Sequence, residues 1–338
     1  MRYRRLPGTE LDPSVIVLGT ASFGTAIAAD DSWRLLDAFV ECGGNFVDTA
    51  HIYGDWASSE RSMSEKTIGA WFERTGMRGR VVLATKGAHL NLQTRVPRMR
   101  PEEIRSDLRE SLEYLRTDVI DLYWLHRDDP AVPVGEILDV LEEERRAGTI
   151  RHYGCSNWGP QRILEAAAYA ASRGQEGFVA NQLMWSLALP NPEGITDKTL
   201  WWMDAPTYAY HRRTGLAAVA YSSQAKGFFS GKYGPGLTDA ADGRRAGVIR
   251  QYYSPENFER LAAAQAIAAR RGCSANDVAL AYLIHQPFAT YAIVGPRSVE
   301  QLRDSCRAAD VTLTEEEVRA LNPWEDDLAA ASGSEAKR

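Results

Sequence analysis

The sequence predicts an α/β chain folded as one (β/α)8 TIM barrel, with an N-terminal β-hairpin before it and a C-terminal helical extension after it. Short apolar runs alternate with helical stretches eight times without a linker or a low-complexity segment. Repeated βα units argue for a parallel sheet covered by helices, and roughly 300 residues suit eight of them closed into a barrel. A doubly wound sheet would want GxGxxG after the first strand, where residues 19–24 read GTASFG. A polar residue stands at nearly every strand end, which is where a barrel gathers its chemistry. The barrel is assigned to residues 1–324, and the polar, Ala/Ser-rich stretch 325–338 is read as a frayed tail.

Each element has a local reason. Arg2–Arg5 with a turn at Pro7-Gly8 forms the hairpin, and Val15–Leu18 is a buried strand ending at Gly19-Thr20. Asp30 or Asp31 caps a helix that runs through Glu41 and stops at Gly43-Gly44. Strand Phe46–Asp48, helix Ser64–Arg74 and strand Val81–Thr85 follow. Pro101 suits the first position of a helix to about Arg116, with Glu102 and Glu103 in its first turn. Strand Val119–Leu125 ends in His126; helix Val134–Ala147 stops at Gly148; strand Ile150–Gly154 runs into Cys155-Ser156-Asn157. Helix Pro160–Ser172 leads to strand Phe178–Gln182, then an irregular Pro- and Trp-rich segment over 190–207, a helix, and strand Leu216–Tyr221. Residues 222–254 read as a Gly- and Lys-bearing loop. Helices near 255–271 and 274–286, strand Tyr291–Val294 and helix Val299–Ala308 complete the barrel.

Composition removes several classes. The 338 residues are 44% hydrophobic and 25% charged with net charge −6, the charges interleaved, so no nucleic-acid face is expected. Cys42, Cys155, Cys273 and Cys306 lie far apart without zinc spacing, which favours reduced thiols. The opening MRYRRLPGTELDP lacks a signal-peptide core, and no apolar run approaches the ~20 residues that span a bilayer. A cytoplasmic protein without membrane contact is expected, and oligomeric state is not encoded legibly.

The chemistry concentrates in NFVDTAHIYG (45–54) and VVLATKG (81–87). Successive strand ends there present Asp48, Tyr53 and Lys86. A phenol, pKa about 10, donates a proton poorly near neutrality. A neighbouring ammonium favours the ionised phenol, and a carboxylate paired to the lysine holds the geometry. A structural salt bridge beside a buried tyrosine accounts for the same residues equally well.

A wider pattern decides between them. DTAHIYG (48–54), ATKG (84–87) and IDLYWLH (120–126) carry Asp48, Tyr53, Lys86 and His126 in contexts that resemble the catalytic tetrad of the aldo-keto reductases. The resemblance continues through GCSNW (154–158), NQLMW (181–185), YSSQAKGFFSGKY (221–233) and VGPRSVEQLRDS (294–305), so it covers nearly the whole chain, in order. It points to the bacterial-type, potassium-channel β-subunit-like branch.

The resemblance implies NADPH-dependent reduction of an aldehyde or ketone. Tyr53 would protonate the carbonyl oxygen, Lys86 would lower the Tyr53 pKa, Asp48 would pair with Lys86, and His126 would orient the carbonyl. Gly19, Thr20 and Asp48 would border the cofactor; Ser156, Asn157 and Gln182 would bind the carboxamide. Trp185 would stack on the nicotinamide ring where many relatives have tyrosine. Tyr221, Ser222, Gln224, Lys226 and Lys232 would follow the pyrophosphate, a loop that departs from the family's Ser-Pro-Leu run. Gly295, Arg297, Ser298 and Gln301 would read the adenosine 2′-phosphate at a helix N-terminus, favouring NADPH over NADH, with Ser305 standing where relatives have asparagine near the adenine.

The substrate is less legible. Trp56, Trp124, Trp158, Trp201 and Trp202 lie in or near loops; Trp56 and Trp158 with His89, Tyr53 and His126 would wall a pocket for a sugar-like carbonyl. Packing against the barrel is the commoner fate of such tryptophans. Asp55, Asp128 and Asp129 argue against an anionic substrate. His51, His89 and His126 lack HxH or HExxH spacing and lie beside a lysine, so no metal is expected. An aldolase using Lys86 as a Schiff base does not suit its Asp and Tyr neighbours. The alternative kept open is an NADPH-binding regulatory subunit of a partner protein, with little turnover.

Overall fold

A computed structural model describes residues 1–240 and 242–324. Eight parallel strands close into a barrel in chain order, β8 pairing with β1. They are β1 (Ile16–Gly19), β2 (Phe46–Asp48), β3 (Val82–Gly87), β4 (Ile120–Leu125), β5 (Ile150–Ser156), β6 (Ala180–Met184), β7 (Ala217–Tyr221) and β8 (Thr290–Val294). Helices α1 (Ala29–Glu41), α2 (Met63–Thr75), α3 (Pro101–Leu115), α4 (Val134–Ala147), α5 (Pro160–Arg173) and α6 (Ala205–Thr214) cross over between successive strands. Between β7 and β8 come α7 (Gly243–Tyr252), α8 (Pro255–Arg271) and α9 (Ala275–Ile284); α10 (Val299–Arg307) and α11 (Glu315–Leu321) follow β8.

Side chains of a strand alternate between its faces. Val17, Phe46, Val82, Ala84, Leu122, Trp124, Ala217, Val219 and Tyr291 point inwards and pack as one apolar plug. The intervening residues, such as Leu18, Val47, Leu83, Tyr123, Leu183 and Ala292, face the helices in two larger clusters. The N-terminal hairpin forms as expected: Arg4 N–H donates to the Pro13 carbonyl at 3.1 Å and Leu6 N–H to that of Leu11 at 3.0 Å. Leu6 and Leu11 join the plug and close the mouth at the strands' N-terminal ends.

Three expectations need correction. Residues 222–254 are not all loop, because Asp242 caps α7 by accepting from Arg245 N–H at 2.7 Å. That Asx cap lies inside a run that is otherwise Gly- and Arg-rich, so propensity alone did not mark it. Neither Asp30 nor Asp31 is the N-cap of α1; Ala28 occupies that position, and both aspartates sit in the first turn, where they favour the helix dipole. Lys86 and Ser156 lie within strands, not beyond them. The proposed tail, 325–338, lies outside the described residues. Among those described, no helix is long and apolar enough to cross a membrane.

Candidate active site

The inward positions continue beyond the plug as a polar ring. Two residues after Phe46, Ala84, Trp124, Ala180 and Val219 come Asp48, Lys86, His126, Gln182 and Tyr221. The same period of two that fills the barrel therefore delivers all five side chains to the strands' C-terminal end.

Lys86 is 1% exposed, and its ammonium donates to Asp48 Oδ2 at 2.5 Å, the Thr49 carbonyl at 2.7 Å and the Tyr53 hydroxyl oxygen at 3.1 Å. All three of its N–H bonds are thereby used. The other Asp48 oxygen accepts from Gln182 Nε2 at 2.9 Å. Burial lowers the lysine pKa, but Asp48 and Tyr53 outweigh it and leave the lysine above its ordinary value. Burial raises Asp48, opposed by Lys86 and Gln182. An isolated buried charge of either sign would be costly, so the pair stands or falls together.

Tyr53 sits on the loop after β2. Its N–H donates to the Ala50 carbonyl and its carbonyl accepts from Ser64 N–H. Gly54 follows with φ +107°, where a Cβ would lie 2.7 Å from that of Met63. Beneath the loop, Ser64 Oγ lies 2.9 Å from Thr20 Oγ1 and 2.8 Å from Thr49 Oγ1, a buried chain of hydroxyls that ties α2 to β1 and β2. Thr49 and Ser64 escaped the sequence reading because a hydroxyl at a strand or helix end carries no signal without its partner.

The His126 ring meets Tyr53 edge-on at 5.8 Å and His89 at 4.7 Å. Burial first, then the Arg127 guanidinium, holds its pKa well below the usual histidine range, so it is neutral. The same causes bring His89 down to about 4. His89 Nδ1–H donates to the Leu90 carbonyl at 2.7 Å, which leaves Nε2 as an acceptor. Asn157, at φ +62°, joins four elements: its amide donates to the His126 carbonyl, and its oxygen accepts from Trp201 N–H and the Tyr221 hydroxyl.

A cleft of about 2070 Å³ runs from Tyr53 and His126 past the starts of α7 and α9 and along α10. Gly19, Thr20, Asp48, Ser156, Asn157, Gln182, Tyr221, Ser222, Gln224, Lys226, Lys232, Gly295, Arg297, Gln301 and Ser305 all line it. Ser222, Ala225 and Lys226 have φ of +54°, +47° and +55°, strained conformations for residues with a Cβ.

Five residues expected to bind cofactor or substrate do not line the cleft: Trp185, Trp158, Ser298, His89 and Trp56. Trp185 is 2% exposed and stacks on Phe288 at 5.8 Å among Tyr208, Tyr282 and Trp324, outside the barrel. It stands three positions after Gln182, an odd step that turns it to the helix side, whereas Tyr221 is among the aromatic residues that line the cleft. Trp158 is fully buried, its indole N–H donating to the Arg127 carbonyl and its ring packed on Phe178. The left-handed turn at Asn157 sends it away from the cleft. Ser298 caps α10, its hydroxyl accepting from Gln301 N–H at 3.3 Å, and does not line the cleft. Trp56 is 56% exposed, edge-on to Tyr53 at 5.9 Å. His51 is held behind the site by Glu110 at 3.0 Å. Trp124 lies in the plug. Among the described residues, no group of three or more His, Cys, Asp or Glu side chains is arranged to hold a metal.

A family model described as "Aldo/keto reductase family" matches residues 15–325. The chain is 33% identical over 332 residues to "Uncharacterized oxidoreductase YrpG" of Bacillus subtilis (strain 168), covering 95% of both. It is 29% identical over 348 residues to "Protein tas" of Escherichia coli (strain K12), covering 94% of this chain and 95% of that one. To the NADP(+) aryl-alcohol dehydrogenase of Phanerodontia chrysosporium it is 28% identical over 342 residues, covering 95% and 85%.

Proposed function

The chain belongs to the aldo/keto reductase family, and from that premise we propose that it reduces an aldehyde or ketone with NADPH, in preference to NADH, using Tyr53 as the proton donor. The observation that carries this reading is the Lys86 ammonium. A lysine ammonium only donates, so the Tyr53 oxygen accepts from it at 3.1 Å and the phenol hydrogen is left for the cleft that Tyr53 lines.

The residues present fit a dinucleotide. Ser156 and Gln182 offer polar groups in the cleft, Tyr221 offers a ring face, Lys226 and Lys232 lie along it, and Arg297 stands at the start of α10. When bound, the reduced nicotinamide supplies a hydride to the carbonyl carbon. As the C=O π bond opens, the Tyr53 proton passes to the oxygen, which becomes the alcohol hydroxyl. The charge left on the phenolate faces Lys86, and a solvent proton restores the phenol. Neutral His126 donates a hydrogen bond to the same oxygen without bringing a charge of its own. Asp48 and Gln182 hold the lysine in place.

The finer substrate reading is a sugar-like carbonyl, an aldose or keto-sugar. The acceptor nitrogen of His89, beside His126, suits a hydroxyl next to the carbonyl, and Trp56 offers an exposed ring. No observation favours a purely regulatory NADPH-binding subunit. The test is NADPH oxidation with a panel of aldehydes, ketones and sugars, wild type against Tyr53→Phe. Loss of the acid should lower kcat by about 10²–10⁴-fold with NADPH affinity retained. Equal turnover in a folded Tyr53→Phe variant would sink the assignment.

A further inference from the structure

We propose that Arg127 is a substrate anchor, and that the carbonyl compound reduced here carries an acidic group, a carboxylate or a phosphate, that pairs with it. This rests on the reductase reading above and adds the charge of the substrate.

Arg127 directly follows His126 and lines the same cleft with Tyr53 and Leu200, at only 9% exposure. A guanidinium has five N–H donors in a planar fork. Nε–H donates to Thr199 Oγ1 at 2.9 Å, Nη1 to the His126 carbonyl at 2.8 Å, and Nη2 to Asp197 Oδ2 at 3.4 Å. Two N–H bonds, one on each terminal nitrogen, meet no acceptor among the described residues. The last contact is also long for a charge-assisted bond.

The charge is as incompletely matched as the donors. Asp197 is the carboxylate on Arg127 and serves Arg95 as well, at 3.2 Å, while accepting from Thr199. One carboxylate thus stands between two guanidinium groups. The nearby lysine, Lys86, is matched by Asp48, and the imidazoles of His126 and of His89 packed on it are neutral. The aspartates that argued against an anion in the sequence are engaged elsewhere: Asp55 with Arg61 and Ser62 N–H, Asp128 with Arg162, and Asp129 with Ala131 N–H. Arg127 is therefore the group at this end of the cleft with charge and donors to spare. A carboxylate or phosphate matches a guanidinium fork bidentately.

The experiment compares charged and neutral partners of similar shape with NADPH: para-carboxybenzaldehyde against methyl para-formylbenzoate, and glycolaldehyde phosphate against glycolaldehyde. In the wild type, kcat/KM for the charged member of at least one pair should exceed its neutral partner by roughly 10- to 100-fold, the range of a charged hydrogen bond. The pair that shows it distinguishes carboxylate from phosphate. Arg127→Met should bring that ratio to near one, mainly through KM, and Arg127→Lys should restore part of it. Asp197→Asn, which frees the fork, should raise the ratio, and decides the matter if Arg127→Met does not fold. A wild-type ratio at or below one for both pairs, or a ratio unmoved by Arg127→Met, overturns the anchor while leaving the reductase intact. No turnover of any of the four aldehydes overturns the reductase reading and the anchor with it.

Discussion

Asp48, Tyr53, Lys86 and His126 were legible because their chemistry is unusual and their spacing follows the strands. Arg127 was not, since a lone arginine after a strand is ordinary until its burial and its shared counter-ion are seen. Arg297 shows the opposite case: its value lies in being exposed at the start of α10, where its own N–H donates to Gln301 Oε1 at 3.0 Å and its side chain borders the cleft. Replacing it with alanine should weaken NADPH by roughly 10- to 100-fold, the worth of a charge-assisted hydrogen bond to phosphate. NADH should hardly change. Titrating both nucleotides by quenching of tryptophan fluorescence reads this directly, and equal losses for the two would remove Arg297 from recognition of the 2′-phosphate.

Among the elements, β5 and the N-terminal hairpin show how a strand's far end is secured. His152 of β5 lies between Glu10 of the hairpin and Glu176, each at 2.8 Å. Burial lowers its pKa, but the two carboxylates outweigh that and leave it raised. A histidine whose folded pKa is raised binds protons more tightly folded than unfolded, so its stabilisation is full below the unfolded value of about 6.5 and is lost as pH rises through the folded one. Subtracting the Tm of His152→Gln from that of the wild type, at points from about pH 5 upwards, should therefore give a gap that is widest at the acidic end and narrows on the alkaline side. A gap that widens with pH would mean the imidazole is held neutral. The sequence showed the hairpin but not this clasp, because Glu10, His152 and Glu176 are brought together only by closing the barrel.

At the scale of the whole molecule, Trp185 marks where the second half of the barrel is held to its helices. Its ring contacts Tyr208 of α6, Tyr282 of α9, Phe288 and, beyond α11, Trp324. Trp185→Ala should cost about 3–5 kcal/mol of stability, as for other buried large aromatic residues, read by urea unfolding, with NADPH affinity of the folded fraction unchanged. Selective loss of NADPH affinity at full stability would put the ring back against the cofactor.

The sequence by itself determined the strand order, every crossover helix but α7, the closed barrel and the residue types at the C-terminal end, because alternation, caps and strand-end chemistry are local properties of the chain. Only the tertiary structure decided which way each ring turns and which charges are already spent. Trp185 and Trp158 sit within three residues of cleft-lining side chains, yet strand parity and one left-handed residue put them in the core. Asp128 stands next to Arg127 in sequence, yet its partner is Arg162, while the carboxylate that Arg127 meets, Asp197, comes from a loop 70 residues away. Direction and charge balance depend on neighbours distant in sequence, and burial, which sets what an unmatched charge is worth, exists only once the chain has closed.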